Sequence, residues 1–160
     1  MRNTIDKYLG GFLALLLAAM TLDVLWGVFT RYALGSQASW SEELARFLLI
    51  WIGILGAAYA SGQHMHLAID LLMPKLKPGG QKRLALLIHL LIMLFVLTVM
   101  VIGGFRLMYV TKVLEQLSPA LQVPMWLVYS VLPLSGILVI VYKILDIRQG
   151  SAVAPNALDN

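Results

Sequence analysis

Four apolar blocks, each long enough to cross a bilayer as a helix, constrain this 160-residue chain more than any other feature. Crossing the ~30 Å hydrocarbon core takes about 20 helical residues. The blocks lie at about residues 8–32, 40–61, 81–117 and 124–147. They are apolar on every side rather than along one stripe, and a chain of this length has no soluble core that could enclose four such helices. Composition agrees: 60% of residues are hydrophobic and 12% charged, against about a quarter charged in a soluble domain. The expected fold class is an all-α polytopic membrane protein with four transmembrane helices in one membrane domain, residues 1–148. The net charge of +4 does not point to nucleic acid, because the basic residues flank the apolar blocks, where topology accounts for them. The lack of cysteine excludes disulfides and thiolate metal sites. The first apolar run is too long for a cleaved signal peptide.

Segment one follows a polar lead, residues 1–7, and closes near Trp26, Arg31 and Tyr32, an aromatic and basic interfacial signature. Segment two opens the most informative stretch, Ser39 to Asp70. Ser39 and Glu42 fit a capping box. Glu42 and Glu43 sit where the helix macrodipole favours acids, and Arg46 is spaced to reach both on one helix face. The chain then leaves through Gly62 into a turn, 62–80, carrying His64, His66, Pro74, Pro78 and Gly79-Gly80. Within it, His66 to Met73 has the pattern of a short amphipathic surface helix. Segment three, if helical to Leu117, would hold ~36 residues and span ~54 Å. It must then tilt, protrude or break at Gly103-Gly104, with Ser118-Pro119 as its stop. Pro124 suits the start of segment four, and Pro133 should kink it. Residues 149–160 read as a disordered cytoplasmic tail.

Lys and Arg are unevenly divided between the two sides. Arg2, Lys7, Lys75, Lys77, Lys82, Arg83, Lys143 and Arg148 fall on one side; Arg31, Arg46, Arg106 and Lys112 fall on the other. The positive-inside rule places both termini and the 62–83 turn in the cytoplasm.

Few residues offer chemistry. Glu42, Glu43 and Arg46 read as an interfacial cap with a structural ion pair, or else as an ion site. Asp23 is an intramembrane acid, functional by default unless it pairs with a base such as Arg106. His64 and His66 form an H-x-H pair without a third ligand, so no metal site is expected. His66 and His89 could serve as axial haem ligands only at matching membrane depth, which the turn position of His66 does not provide; no cofactor is expected. Asp70 follows His66 by four, a turn-ordering spacing. Gly10-Gly11, Gly53 with Gly56, and Gly103-Gly104 permit close helix packing, within the chain or on a partner. No nucleophile-and-base set, phosphate loop or dinucleotide fingerprint is present, so the chain is not expected to be an enzyme. Nor does it show the broken helices and polar midplane of an autonomous transporter. Spans this poor in polar machinery suit a supporting subunit.

The order of features resembles the small membrane subunit of tripartite ATP-independent periplasmic (TRAP) transporters. The resemblance rests on Arg31-Tyr32 closing span one, the W-S-E-E-L-A-R run from Trp40 to Arg46, the Leu55 to Ala58 stretch, and H-x-x-x-D from His66 to Asp70. It implies a bacterial inner-membrane scaffold subunit, set beside a separate large membrane subunit of the elevator type. A periplasmic binding protein would deliver a carboxylate-bearing solute, such as a C4-dicarboxylate or sialic acid, for uptake on an ion gradient, usually sodium. Carried onto this chain, Trp40, Glu42, Glu43, Arg46, His66 and Asp70 would be structural or interface positions; no role transfers to Asp23. Two rival classes are a small proton-coupled exporter using Asp23 and a haem-bearing membrane anchor using His89.

Overall fold

The structure is a computed structural model that describes residues 2–36, 38–62 and 78–148. His64, His66, Asp70 and the 149–160 tail lie outside the described residues. Helix α1 is Arg2–Ala33, α2 is Ser39–Gly62 and α3 is Pro78–Phe95. A π-helical segment, Val96–Ile102, joins α3 to α4, Gly103–Val113. The fourth span is α5, Met125–Tyr129, followed by α6, Val131–Arg148. Four stretches are long and apolar enough to cross a membrane: Thr4–Ala33, Ser39–Gly62, Leu86–Val113 and Met125–Ile147.

Helix ends differ from the expectation where local chemistry decides them. The polar lead is helical from Arg2 and continuous with the first span. The third span starts at Pro78, not 81, because proline's missing N–H costs nothing in a first turn. It ends at Val113, not 117. Glu115 adopts a left-handed conformation (φ 47°), Glu115 N–H donates to Lys112 O, and Gln116 N–H donates to Thr111 O. These are the paired bonds of a Schellman cap, with glutamate where glycine is usual. The helix does not break at Gly103-Gly104. Gly103 is right-handed (φ −61°), and its N–H reaches back to Thr98 O and Met100 O. The irregularity is instead the π segment one turn earlier. In the fourth span the helix lapses at Ser130 between α5 and α6. Pro133 supplies no N–H to the turn before it, and Ser130 Oγ caps Leu127 O at 2.6 Å.

Span one packs mainly on span two, span two on span four, and span four on span three. Along α1 the buried residues are Leu9, Leu13, Leu16, Asp23, Gly27 and Thr30. The spacing of fours and threes is a heptad seam. One cluster joins that seam to Leu55 of α2 and to Val131 and Tyr142 of α6; another joins Ala58, Val96 and Val139.

Close approach is set by small residues against α6 or from it. A Cβ at Gly62 would meet the Tyr142 ring at 2.8 Å, one at Gly104 would meet Pro133 Cδ at 2.8 Å, and one at Gly136 would meet Val101 Cγ2 at 2.9 Å. Three residues of the third span meet α6: Val96 shares a cluster with Val139, Val101 lies against Gly136, and Gly104 lies against Pro133. The two members of Gly103-Gly104 therefore differ: Gly104 is buried against Pro133, whereas a Cβ at Gly103 finds only Thr98 O at 3.7 Å. Gly104→Ala is expected to destabilise the subunit by about 1–3 kcal/mol through overpacking. Gly103→Ala should stay within about 0.5 kcal/mol of wild type. Thermal unfolding of the two variants in detergent checks the difference.

Candidate functional site: the loop end of the helical array

One end of the array carries the 34–38 connection and the 114–124 loop. The other carries the chain ends of α1 and α6 and the end of α2. Of the polar residues singled out in the sequence, Arg31, Glu42, Glu43 and Arg46 lie at the loop end, the last three on α2. Gly35 (φ 72°) turns the chain out of α1, and Leu34 N–H closes on Thr30 O. The start of α2 is tied to α1 by Ser41, 2% exposed, whose Oγ donates to Asp23 O at 3.1 Å.

The paired acids separate by task. Glu42 pairs with Arg46 at 3.5 Å, both side chains 66% exposed, so the pair contributes little to stability. Glu43, in contrast to the spacing argument, does not share Arg46. It is buried, and its Oε2 accepts the backbone N–H groups of Ala120 and Leu121 at 2.8 Å each. Pro119 opens that turn, leaving the next two amides without helical acceptors, and the carboxylate supplies one. Two short charge-assisted bonds offset the cost of burying the charge. The loop also closes on itself. Leu117 and Pro124 form a β-bridge, Met125 N–H donates to Gln116 O, and fully buried Ser118 accepts Val123 N–H on its Oγ. Lys112 lies over the Trp126 ring, 5.8 Å from its centroid, a cation–π contact between the third and fourth spans.

A notch of about 200 Å³ opens between α1 and α2, with Val28, Arg31, Ser41 and Glu42 among its walls. Arg31 and Trp40 are exposed. Asp23 sits beneath, in the α1 seam. It is 7% exposed, and neither carboxylate oxygen has a hydrogen-bond partner among the described residues. The pairing with Arg106 is not formed; Arg106 is exposed on the third span. His89 is buried in the same span. Among the described residues no group of three His, Asp or Glu assembles.

At the opposite end a second polar cluster escaped the sequence reading. Lys143 and Asp146, 0% and 1% exposed, pair at 3.7 Å, and Lys143 Nζ donates to Ser61 O at 3.3 Å. Tyr142 OH donates to Asp6 Oδ1 at 2.6 Å. Lys143 is thus an internal tie between α6 and α2, not one of the flanking bases with which it was counted. The signal available was the i, i+3 spacing of Lys143 and Asp146 at the end of an apolar block.

These features define a multi-pass membrane protein whose described polar groups chiefly fasten helices and one loop. The chain belongs to the family described as "Tripartite ATP-independent periplasmic transporters, DctQ component", which matches residues 20–152. It is similar to a TRAP transporter small permease protein of Haemophilus influenzae, 31% identical over 139 residues, covering 87% of this chain and 84% of that one. It is also similar to the C4-dicarboxylate TRAP transporter small permease protein DctQ of Rhodobacter capsulatus, 29% identical over 118 residues; the match covers 74% of this chain and about half, 51%, of that relative. A third relative, the isethionate TRAP transporter permease protein DctMQ of Oleidesulfovibrio alaskensis, is 30% identical over 100 residues, 62% of this chain but 16% of its own length.

Removing the Glu43 carboxylate should free the loop. Glu43→Ala, which removes the acceptor, is expected to abolish the hydrogen-exchange protection of the Ala120 and Leu121 amides and to cost about 1.5–3 kcal/mol. Glu42→Gln, in an exposed pair, should leave both amides protected. Amide exchange read by mass spectrometry on the detergent-solubilised chain checks the contrast.

Proposed function

We propose that this chain is the small scaffold subunit of a TRAP-type secondary transporter. It supports a separate, large elevator-type membrane subunit during uptake of a carboxylate-bearing solute on an ion gradient, with sodium as the driving ion. The observation that carries this reading is the use made of polar side chains. Glu43 is spent on a loop, Lys143 on Asp146 and Ser61 O, and Tyr142 on Asp6. No described cluster at the midplane is left to bind a solute. Relatives support the assignment to a larger machine. One of them carries the matching region as 16% of a permease chain. The solutes named for the relatives, a C4-dicarboxylate and isethionate, differ in their anionic groups; a scaffold common to both leaves solute choice to other chains.

Both termini are assigned to the cytoplasm from the distribution of Lys and Arg. The loop end then faces the periplasm, where the solute-loaded binding protein docks beside Arg31, Trp40 and Lys112. The large subunit packs on the small-residue faces of spans one and two. A Cβ at Gly11, Gly53 or Gly56 meets nothing within 4 Å, so these faces are open inside this chain and available to a partner helix.

Two measurements test these assignments. Affinity purification of the tagged chain from native membranes is expected to bring down a large multi-span permease in stoichiometric amount, and Gly53→Leu with Gly56→Leu to reduce that recovery severalfold. A chain that purifies alone would sink the scaffold reading. It would favour the second one, in which Asp23, buried and without a hydrogen-bond partner among the described residues, couples proton movement to export. Liposomes holding this chain alone would then transport, and Asp23→Asn would not. For the docking face, Arg31→Glu and Lys112→Glu should each weaken uptake at low binding-protein concentration. A membrane-impermeant maleimide should label Gln122→Cys in the cysteine-free chain from the periplasmic side. Unchanged uptake in both charge reversals, or labelling only from inside, would count against that face.

A further inference from the structure

The third span is longer than the hydrocarbon it crosses. Leu86–Val113 holds 28 residues, ~42 Å at ~1.5 Å per residue, against a core of ~30 Å. Tilting away the whole excess would take about 45°, outside the range that such helices adopt. One end therefore stands beyond the core, and Arg106 decides which. A charge is costly inside hydrocarbon, and the stretch from Leu86 to Phe105 by itself measures ~30 Å. Arg106 thus falls at the level of the lipid headgroups, with Tyr109, 70% exposed, one turn further out, where aromatic rings collect. The helix turns Arg106 outward: Gly104, about 200° away round the axis, is the residue against Pro133. No hydrogen bond or ion pair among the described residues engages the guanidinium. Ile102 and Phe105, both exposed, continue the same outward stripe toward the membrane centre. The stripe carries no acid. Val99 and Leu107 stand four residues to either side of Gly103, so the pair of small residues that suits a partner helix is missing there.

We propose that Arg106 is the binding site for an anionic phospholipid in the leaflet at the loop end. The guanidinium takes the lipid phosphate in its fork, the geometry in which charge-assisted N–H···O bonds are strongest. An acyl chain lies along Phe105 and Ile102. A net-negative headgroup is preferred to a zwitterionic one, because the stripe offers no carboxylate to a headgroup ammonium. The bound lipid sets the depth of the third span and leaves the last two turns of α4, with the 114–124 loop, above the headgroups. This site requires only that the chain spans a membrane and is independent of the scaffold reading.

The test is titration of the delipidated full chain in detergent with phosphatidylglycerol or phosphatidylethanolamine, the first bound lipid being read by native mass spectrometry. The wild-type chain is expected to hold phosphatidylglycerol severalfold more tightly than phosphatidylethanolamine. Arg106→Gln should weaken phosphatidylglycerol binding about tenfold, the scale of one lost hydrogen bond to a charged group, and erase the preference between the two lipids. Arg106→Lys, which keeps the charge without the fork, should fall between. Arg46→Gln, whose guanidinium already pairs with Glu42, should change the affinity by about twofold at most. Unchanged affinity in Arg106→Gln overturns the proposal, as does an equal loss in Arg46→Gln. Displacement of the lipid by millimolar inorganic phosphate would make the site one for free phosphate and overturn it too. So would the loss of a co-purifying membrane protein in Arg106→Gln with lipid affinity intact, which would assign the arginine to a protein contact.

Discussion

Hydrocarbon offers no hydrogen bonds, so every backbone amide and carbonyl near the membrane must find its partner inside the protein. The structure answers that constraint at each place where an α-helix cannot. The end of the third span closes as a Schellman cap on Thr111 and Lys112. The lapse at Ser130 is covered by the serine's own side chain. The π segment is closed by the Gly103 N–H, which reaches back to Thr98 O and Met100 O. The loop between the last two spans is the hardest case, because its tip leaves two adjacent amides free. A buried carboxylate from a different span satisfies both. Glu43 is thus as much a part of the loop as the residues that bear its numbers.

Packing follows from the same environment. Lipid is as apolar as leucine, so helices associate by close contact rather than by hiding from water. Gly62, Gly104 and Gly136 supply that contact, and all three meet or belong to the fourth span. Burial confirms its central place: 39% of its most apolar window is enclosed by the rest of the chain, against 11–17% for the other spans. A fully buried Lys143 is tolerable there because Asp146 and Ser61 O accept its charge locally.

Four spans, their class and their approximate limits were legible in the sequence because block length against bilayer thickness is a coarse and sturdy signal. Finer features were not, for identifiable reasons. The heptad seam of α1 is hidden because the positions off the seam are also apolar, facing outward where a soluble helix would be charged. Glycines can be found in a sequence, but their use cannot: Gly104 touches Pro133 while Gly103 beside it touches almost nothing, and which of two adjacent positions faces the fourth span is set by a helix rotation that no residue pattern announces. The spacing of Glu42, Glu43 and Arg46 correctly brings Glu42 to Arg46. It fails for Glu43 because a contact 77 residues away in sequence is stronger than one three residues away. Lys143 was counted as a flanking base because a sequence shows where a charge falls along a block, not which way it turns.

Asp23 shows how seam geometry and function come together. In a heptad seam an apolar residue at that position would extend the Leu9–Leu13–Leu16 stripe and tighten the α1–α2 contact. The chain places there an acid whose oxygens the described residues leave unpartnered. It also holds the acid's own carbonyl in place through Ser41. A carboxylate kept in that setting is a standing cost to the folded subunit, the reverse of what Glu43 achieves on the second span. The two acids mark the difference between a charge used to build the subunit and a charge the subunit alone does not use. The first is met by two amides of the same chain; the second has no such partner among the described residues.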